Sequence, residues 1–266
     1  MNRYCCDSLT WFIGGAFCSL FSFCQKVNTA PNVSGVASFT VMNAIPNSSS
    51  VIPVLNTSSE ITWFGSARSV YYGYSSEYSP PSGDDTVYVV QDSDDTLGIN
   101  PKSPDILYYG ILPLKKGGTY SLFLCGSDTS SPDFLFASDS VPYYIETDSV
   151  VGIRFVNLSA TAGDISINLE GNPIGSEIAD LPYKGITQFK SYASNSTTQE
   201  YIFVIHDAVT GDSLTEFDFN GGNSGYGLYD PITYNLLTFR SATVVVFGSA
   251  TNSNFPLATT LIDNFF

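Results

Sequence analysis

The sequence predicts an all-β protein built from two tandem immunoglobulin-like or transthyretin-like β-sandwich domains. Short runs rich in β-branched and aromatic residues alternate with clusters of Gly, Pro, Asn, Asp and Ser, which is the pattern of strands joined by turns. No window carries the 3.6-residue apolar period of an amphipathic helix. The strand blocks also recur in the same order in the two halves of the chain, which indicates an internal duplication.

The duplication is visible in three pairs of blocks. These are Phe39–Asn43 with Ile153–Asn157, Val87–Asp92 with Ile202–Asp207, and Ser121–Ser127 with Thr243–Ser249. The resulting register pairs Asn43 with Asn157, Asp92 with Asp207, and Cys125 with Phe247. It predicts one sandwich over residues 35–147 and a second over 150–266, each with the size and strand rhythm of a single sandwich domain.

The N-terminus has the pattern of an export signal. Residues 9–23 contain no charged side chain and follow Arg3, and this run is shorter than the roughly 20 residues that span a bilayer. Cys24 follows directly and precedes Gln25, so the segment resembles a bacterial lipoprotein signal in which the cysteine becomes lipidated. We therefore expect residues 1–24 to form a leader with lipidation at Cys24, and residues 25–34 a linker. Cleavage without lipidation, and retention as an anchor, stay open.

The charge of the chain restricts its partners. The sequence has 25 acidic against 10 basic residues, a formal net charge of −15. Such a field repels phosphate backbones, which disfavours binding to nucleic acid. Only 13% of the residues are charged, a low share that is common in extracellular β proteins. The sequence predicts an exported lipoprotein of the outer membrane, at the cell surface or on its periplasmic face.

A metal site is the first chemical candidate. Asp92, Asp94 and Asp95 are closely spaced carboxylates of the kind that bind Ca²⁺. The matching stretch of the second half, 207–212, lacks this density of acids. Hairpin turns that use Asp and Gly for their backbone geometry explain both stretches more simply. We expect no metal ion and no cofactor.

An aromatic binding face is the second candidate. Tyr71, Tyr72, Tyr74 and Tyr78, together with the pair Tyr108-Tyr109, could stack on sugar rings. Alternating aromatic residues are also ordinary in strands and sandwich cores. The sequence alone leaves both interpretations open.

Catalytic machinery is not recognisable in the sequence. The single histidine, His206, has no matching Ser or Cys motif, and we expect it to be a solvated turn residue. Cys125 lies in an apolar strand pattern, which is typical of a small buried core residue rather than a nucleophile.

The repeated blocks resemble the family called domain of unknown function 4397. Repeats of that family open with an Arg-hydrophobic-hydrophobic-Asn strand and continue with an Asp-hydrophobic-x-hydrophobic strand, which correspond here to Arg154–Asn157 and Asp164–Ile167. A later Tyr-initiated strand ending in Gly corresponds to Tyr120–Gly126. The first half departs from the family by having Thr40 and Ser50 in place of the Arg and the Asp. The resemblance implies a sandwich fold and a bacterial cell-envelope location, and it carries over no catalytic residue.

The sequence therefore predicts a non-enzymatic cell-envelope lipoprotein that acts as a binding or structural module. Its expected partners are a protein or glycan of the envelope and, through the lipid anchor, the membrane. The first alternative is a carbohydrate-binding accessory protein of an outer-membrane glycan-uptake system. The second is a hydrolase with an unrecognised site.

Overall fold

The computed structural model describes residues 35–56, 68–92, 105–145, 147–194, 200–219 and 237–264. The described residues contain strands and no helix, so they include no helix that could cross a lipid bilayer. The strands of the first half are β1 (Ser38–Asn43), β2 (Ser50–Asn56), β3 (Val70–Tyr71), β4 (Ser75–Tyr78), β5 (Gly83–Gln91), β6 (Ile106–Leu114), β7 (Thr119–Gly126) and β8 (Pro132–Ser138). Those of the second half are β9 (Val150–Asn157), β10 (Ile165–Leu169), β11 (Ile178–Leu181), β12 (Lys190–Ala193), β13 (Tyr201–Asp207), β14 (Ser213–Phe219), β15 (Ser241–Phe247) and β16 (Ala258–Asn264).

The two halves have the same topology. In the first half an inner sheet has the order β4-β1-β7-β8 and an outer sheet the order β3-β2-β5-β6. In the second half the inner sheet is β12-β9-β15-β16 and the outer sheet β11-β10-β13-β14, so each strand number is shifted by eight. The predicted all-β fold of two tandem sandwiches is confirmed, and the shared topology agrees with an internal duplication.

Each sandwich encloses its own apolar core. Phe39, Val41 and Leu122 of the first inner sheet pack against Val87 and Val89 of the outer sheet, and all five are fully buried. The second core has the same plan, with Phe155 and Val244 facing Phe203 and Ile205. Inward residues alternate along every one of these strands, as the period of two in a strand requires.

Both inner sheets contain a parallel pair of strands. β1 runs parallel to β7 and β9 runs parallel to β15, whereas the other described strand pairs are antiparallel. In β9 and β15 nearly every residue is buried, including those that point away from the sandwich core. Strands covered on both faces read as continuous apolar runs rather than as alternating ones. The outward residues of the inner sheets must therefore be covered by something other than their own sandwich.

A buried asparagine closes each sandwich at the same position. The Asn43 side-chain amide donates to the carbonyl oxygen of Val70 at 3.2 Å, and Asn157 donates to that of Leu181 at 3.1 Å. In each half the amide oxygen accepts from the backbone N–H two residues later. Each Asn ends an inner strand and each carbonyl belongs to an outer one. The repeated Asn of the sequence thus ties the two sheets of its sandwich together.

The predicted match of Asp92 with Asp207 is wrong by one residue. Val51 pairs with Gln91 on β5, and the equivalent Ile165 pairs with Asp207 on β13, so Asp207 corresponds to Gln91. A slip of one residue in a strand exchanges its two faces. His206 consequently corresponds to Val90, and it lies buried on β13 with a ring nitrogen 3.2 Å from the Gly211 carbonyl oxygen. The expectation of a solvated turn residue is also wrong.

The sides of the two outer sheets that point away from the cores differ in chemistry. The first carries Ile52, Val54 and Val90, with Tyr109 and Ile111 at its border. The equivalent positions of the second outer sheet are, in the same order, Ser166, Asn168, His206, Glu216 and Asp218. The duplication has therefore left one apolar and one polar outer face.

Candidate functional site

The two sandwiches meet through the outward faces of their inner sheets. Side chains of β1 and β7, among them Met42 and Phe123, form one buried cluster with side chains of β9 and β15, among them Val156 and Val245. We call this set the interface cluster; its other buried members are Ala44, Cys125, Leu158, Phe247 and Ile262. The interface cluster supplies the second cover that the continuous apolar strands require.

An ion pair reinforces the interface. The Arg154 guanidinium of β9 donates to the carboxylate of Asp139, which follows β8, over an Nη1–Oδ1 distance of 2.7 Å. The two side chains are 5% and 0% exposed. Ser121 donates a second hydrogen bond to Asp139, and Arg154 Nε donates to the Thr243 hydroxyl. The guanidinium also lies over the Phe189 ring, 4.7 Å from its centroid.

The ion pair leaves one polar atom without a partner. The second terminal nitrogen of Arg154, Nη2, is buried and unpartnered among the described residues. Arg154 borders a cavity of about 100 Å³ that Gln188 and Ser140 also line. That volume has room for ordered water, which can accept the remaining hydrogen bond.

A second polar group crosses the interface around Cys125. The Tyr183 hydroxyl shares its single hydrogen between Cys125 Sγ, at 3.2 Å, and the Asp133 carboxylate, at 3.3 Å, and Lys184 pairs with Asp133 at 2.8 Å. Burial raises the pKa of the Cys125 thiol to about 11. Burial pushes the pKa of Asp133 upward, but Lys184 and the backbone N–H of Phe134 hold it below its usual range. The sequence interpretation of Cys125 as a buried residue is confirmed, and a thiol with so high a pKa is a poor nucleophile.

A groove opens where the β3–β4 turn of the first sandwich meets the β15–β16 loop of the second. It has a volume of about 450 Å³, and we call it the interface groove. Its residues come from both halves: Tyr72, Gly73, Tyr74, Phe247, Asn254, Phe255, Pro256, Ala258, Thr259 and Thr260. Because both sandwiches supply its walls, the groove exists only while the two are joined. None of these side chains carries a charge.

An aromatic group forms the floor of the interface groove. The ring of Tyr72 makes edge-to-face contacts with Phe247 and Phe255, with both centroid distances at 5.4 Å. Gly73 beside it has φ of +81°, and a Cβ there would come within 3.0 Å of the Phe247 ring. Burial raises the pKa of Tyr72 to about 12. The turn thus approaches the second sandwich as closely as only glycine permits.

The structure separates the tyrosines that the sequence grouped. Tyr72 and Tyr74 line the interface groove, whereas Tyr71 lies on the outer sheet and is 64% exposed. Tyr78 packs against the first core and donates to the Arg68 carbonyl oxygen. Strand alternation also splits the neighbouring pair, because Tyr108 enters that core while its neighbour Tyr109 faces outward. Two of the four candidate residues therefore share one site.

Of the other candidate residues, Cys24, Asp94 and Asp95 lie outside the residues that the structure describes. Asp92 accepts hydrogen bonds from the hydroxyls of Ser50 and Ser69, at 2.9 and 2.8 Å. Within the described part of the chain, no three His, Cys, Asp or Glu side chains are grouped so that they could hold a metal ion.

Sequence reasoning missed the residues that make the interface. The sequence marks Arg154 only as a motif position, and it does not indicate Asp139, Phe247 or Phe255 as parts of a site. An arginine inside an otherwise apolar strand is a usable signal, because a buried charge requires a partner. The identity of that partner depends on how the sandwiches dock, which no local pattern encodes.

Comparisons with known proteins give little more. No family model matches the chain and no curated protein matches it. One similar solved structure is a carbohydrate-binding module of family 26 from Eubacterium rectale Amy13K in complex with maltoheptaose. It is 13% identical, with 87% of this chain and 98% of that chain covered and a TM-score of 0.25. Another is a candidate adhesin from Bacteroides ovatus, 9% identical, with coverages of 87% and 93% and the same TM-score. Likenesses at this TM-score carry no inference about the ligand.

Proposed function

We propose that this chain is a non-enzymatic binding module of the cell envelope that takes its ligand in the interface groove. One observation carries the proposal: a groove of about 450 Å³ is built jointly by two sandwiches that are locked together by a buried apolar cluster and by ion pairs. Its volume lies within the range of about 300–1,000 Å³ that small-ligand sites occupy.

The rigidity of the interface supports binding. The ligand meets walls that are already in place, so little conformational entropy is lost on association. A pair of sandwiches joined only by a flexible linker would have to order the groove each time. The buried Arg154–Asp139 pair and the interface cluster remove that cost from the binding step.

The location at the envelope rests on the sequence. The apolar leader, the position of Cys24 and the resemblance to domain of unknown function 4397 support an outer-membrane lipoprotein at the cell surface or on the periplasmic face. Mass spectrometry of the mature N-terminus tests this part. A diacylglyceryl-modified Cys24 is expected, and an unmodified Gln25 or an intact Met1 would contradict lipidation.

The binding proposal is tested with purified full-length chain. We expect saturable binding to a member of a panel of envelope glycans and envelope proteins, weakened when Tyr74 is replaced by Ala. The same protein is expected to release no product from panels of ester and glycoside substrates. Hydrolysis by the wild-type chain would establish the alternative of an enzyme with an unrecognised site. Failure to bind any member of a broad panel would contradict the proposal that the chain is a binding module.

A further inference from the structure

The ring of Tyr74 is held out from the protein on a fixed turn. Its side chain is 69% exposed although it lines the interface groove. Its backbone carbonyl accepts from the N–H of Asn43 at 3.1 Å, and its own N–H donates to the Tyr71 carbonyl oxygen at 3.0 Å. The N–H of Gly73 donates to the Asn43 carbonyl oxygen at 2.8 Å. These bonds fix the backbone of the turn, so the exposed ring is attached at a defined position beside the groove.

The polar residues in the described lining of the groove are neutral. Asn254 is exposed and offers both a donor and an acceptor. Thr259 donates to the Glu216 carbonyl oxygen at 3.0 Å, so its hydroxyl faces the outer sheet of the second sandwich and not the groove. Thr260 lies on the opposite face of β16, the face of Ala258 and Ile262, and is half-buried. The groove therefore combines one accessible aromatic face with hydroxyl and amide groups.

The charge of the molecule further restricts the chemical class of the ligand. The groove residues named above carry no charge, and the chain as a whole has a net charge of −15. An anionic ligand would meet a repulsive field that no cationic side chain among the described lining residues offsets. A cationic ligand would find no carboxylate among the described lining residues. An uncharged ligand with an apolar face and several hydroxyls fits these conditions.

We propose that the interface groove binds an uncharged saccharide whose ring stacks on Tyr74 and whose hydroxyls meet Asn254 and Thr260. This inference rests on the proposed function, because it names the ligand class of the same groove. A pyranose ring has C–H groups on its faces and hydroxyls at its edge, which matches an aromatic wall bordered by neutral donors and acceptors. Because Tyr74 and Thr260 belong to different sandwiches, both halves contribute to recognition.

The test compares two exposed tyrosines. Tyr74→Ala removes the proposed stacking ring, and Tyr71→Ala removes one that is 64% exposed and outside the groove. Full-length protein is titrated calorimetrically with uncharged oligosaccharides of glucose, mannose and xylose and with oligogalacturonate. We expect one uncharged series to bind and oligogalacturonate not to bind. Tyr74→Ala should weaken that binding at least fivefold, Tyr74→Trp should retain it, and Tyr71→Ala should leave it unchanged.

Each other outcome has a defined meaning. If no uncharged saccharide binds, or if oligogalacturonate binds better, the saccharide inference is overturned. If Tyr74→Ala instead abolishes binding of an envelope protein, the proposed binding function stands and the saccharide inference falls. An equal loss of affinity in Tyr71→Ala and Tyr74→Ala would show that the saccharide does not bind in the interface groove. Thermal unfolding of each variant at the wild-type temperature shows that the fold is intact.

Discussion

The guanidinium of Arg154 in the second sandwich lies 2.7 Å from the carboxylate of Asp139 in the first, and both side chains are almost completely buried. The position equivalent to Arg154 in the first half is Thr40, which carries no charge. Of the two equivalent strands, β9 carries a charged residue at this position and β1 does not. The neighbouring sandwich supplies the buried carboxylate that pairs with it. Four predictions follow from this interface and from three other buried groups.

Breaking the ion pair should destabilise the protein strongly. Arg154→Met leaves Asp139 buried with too few partners, and the expected loss is about 3–5 kcal/mol in the free energy of unfolding. Lys190→Met is the matched control, because Lys190 also pairs with a carboxylate but is 58% exposed, and its loss should stay below about 1 kcal/mol. Urea unfolding followed by fluorescence measures both. Equal losses would show that burial of the pair is unimportant.

The asparagine ties should matter equally in both sandwiches. Asn157→Ala leaves the Leu181 carbonyl oxygen and the Ser159 N–H without their partner, which costs about 1–3 kcal/mol. Asn43→Ala removes the same contacts in the first half and should cost a similar amount. Thermal unfolding measures both variants, with the exposed Asn172→Ala as the control that should shift stability by less than about 0.5 kcal/mol. A large difference between the two ties would contradict their equivalence.

Asp85 should make stability fall as the pH rises. Its side chain lies at the end of the first core, 1% exposed, and neither carboxylate oxygen has a hydrogen-bond partner of good geometry among the residues that the structure describes. Burial raises the pKa of Asp85, and the backbone N–H of Thr86 offsets this only partly. A raised folded-state pKa stabilises the protein fully below the unfolded value of about 3.9, and this stabilisation is lost as the pH rises through the folded-state pKa.

Removing the charge of Asp85 should therefore help most at high pH. Asp85→Asn should raise the melting temperature at pH 8 by more than at pH 4, because only the ionised carboxylate is destabilised by burial. Asp84→Asn changes the exposed neighbour and should show no such difference. Scanning calorimetry between pH 4 and 8 gives the comparison. An equal gain at both pH values would contradict a buried, ionisable Asp85.

Cys125 should resist alkylation while the interface is closed. A thiol with a pKa of about 11 has only about one thiolate in a thousand at pH 8, and the side chain is fully buried. Iodoacetamide labelling, read from the peptide that contains Cys125, should be negligible in buffer and complete in denaturing urea. Labelling in buffer at the rate of an exposed thiol would show that the interface opens readily.

The predictable and unpredictable parts of the fold differ for physical reasons. The register of Asn43 with Asn157 could be predicted because each Asn ends an apolar run and so marks a position. The register of β5 with β13 could not, because Val87–Val90 and Ile202–Ile205 are apolar at every position and a one-residue shift leaves the pattern unchanged. The topology shows the correct pairing because Val87 and Phe203, not Val87 and Ile202, face the cores.

The candidate site was predictable in the same limited way. Tyr72 and Tyr74 could be named from the sequence because aromatic residues in a turn-rich stretch are accessible candidates. Their partners Phe247 and Phe255 could not, because they lie in the other sandwich and become neighbours only when the inner sheets dock. The continuous apolar runs of β9 and β15 did contain the information that a second surface covers them.

The parallel pairs also set an order of events during synthesis. β1 cannot complete its sheet until β7 exists, and β9 has to wait for β15, so each sandwich joins its earliest strand to nearly its last. Pairing between strands so distant in sequence is slow, because the entropy of closing the loop must be overcome first. Until the second sandwich has closed, the outward side chains of the first inner sheet, Met42 and Phe123 among them, face water. A chain that ends after residue 145 would therefore expose this apolar surface to solvent. We expect such a fragment to aggregate or to require a chaperone.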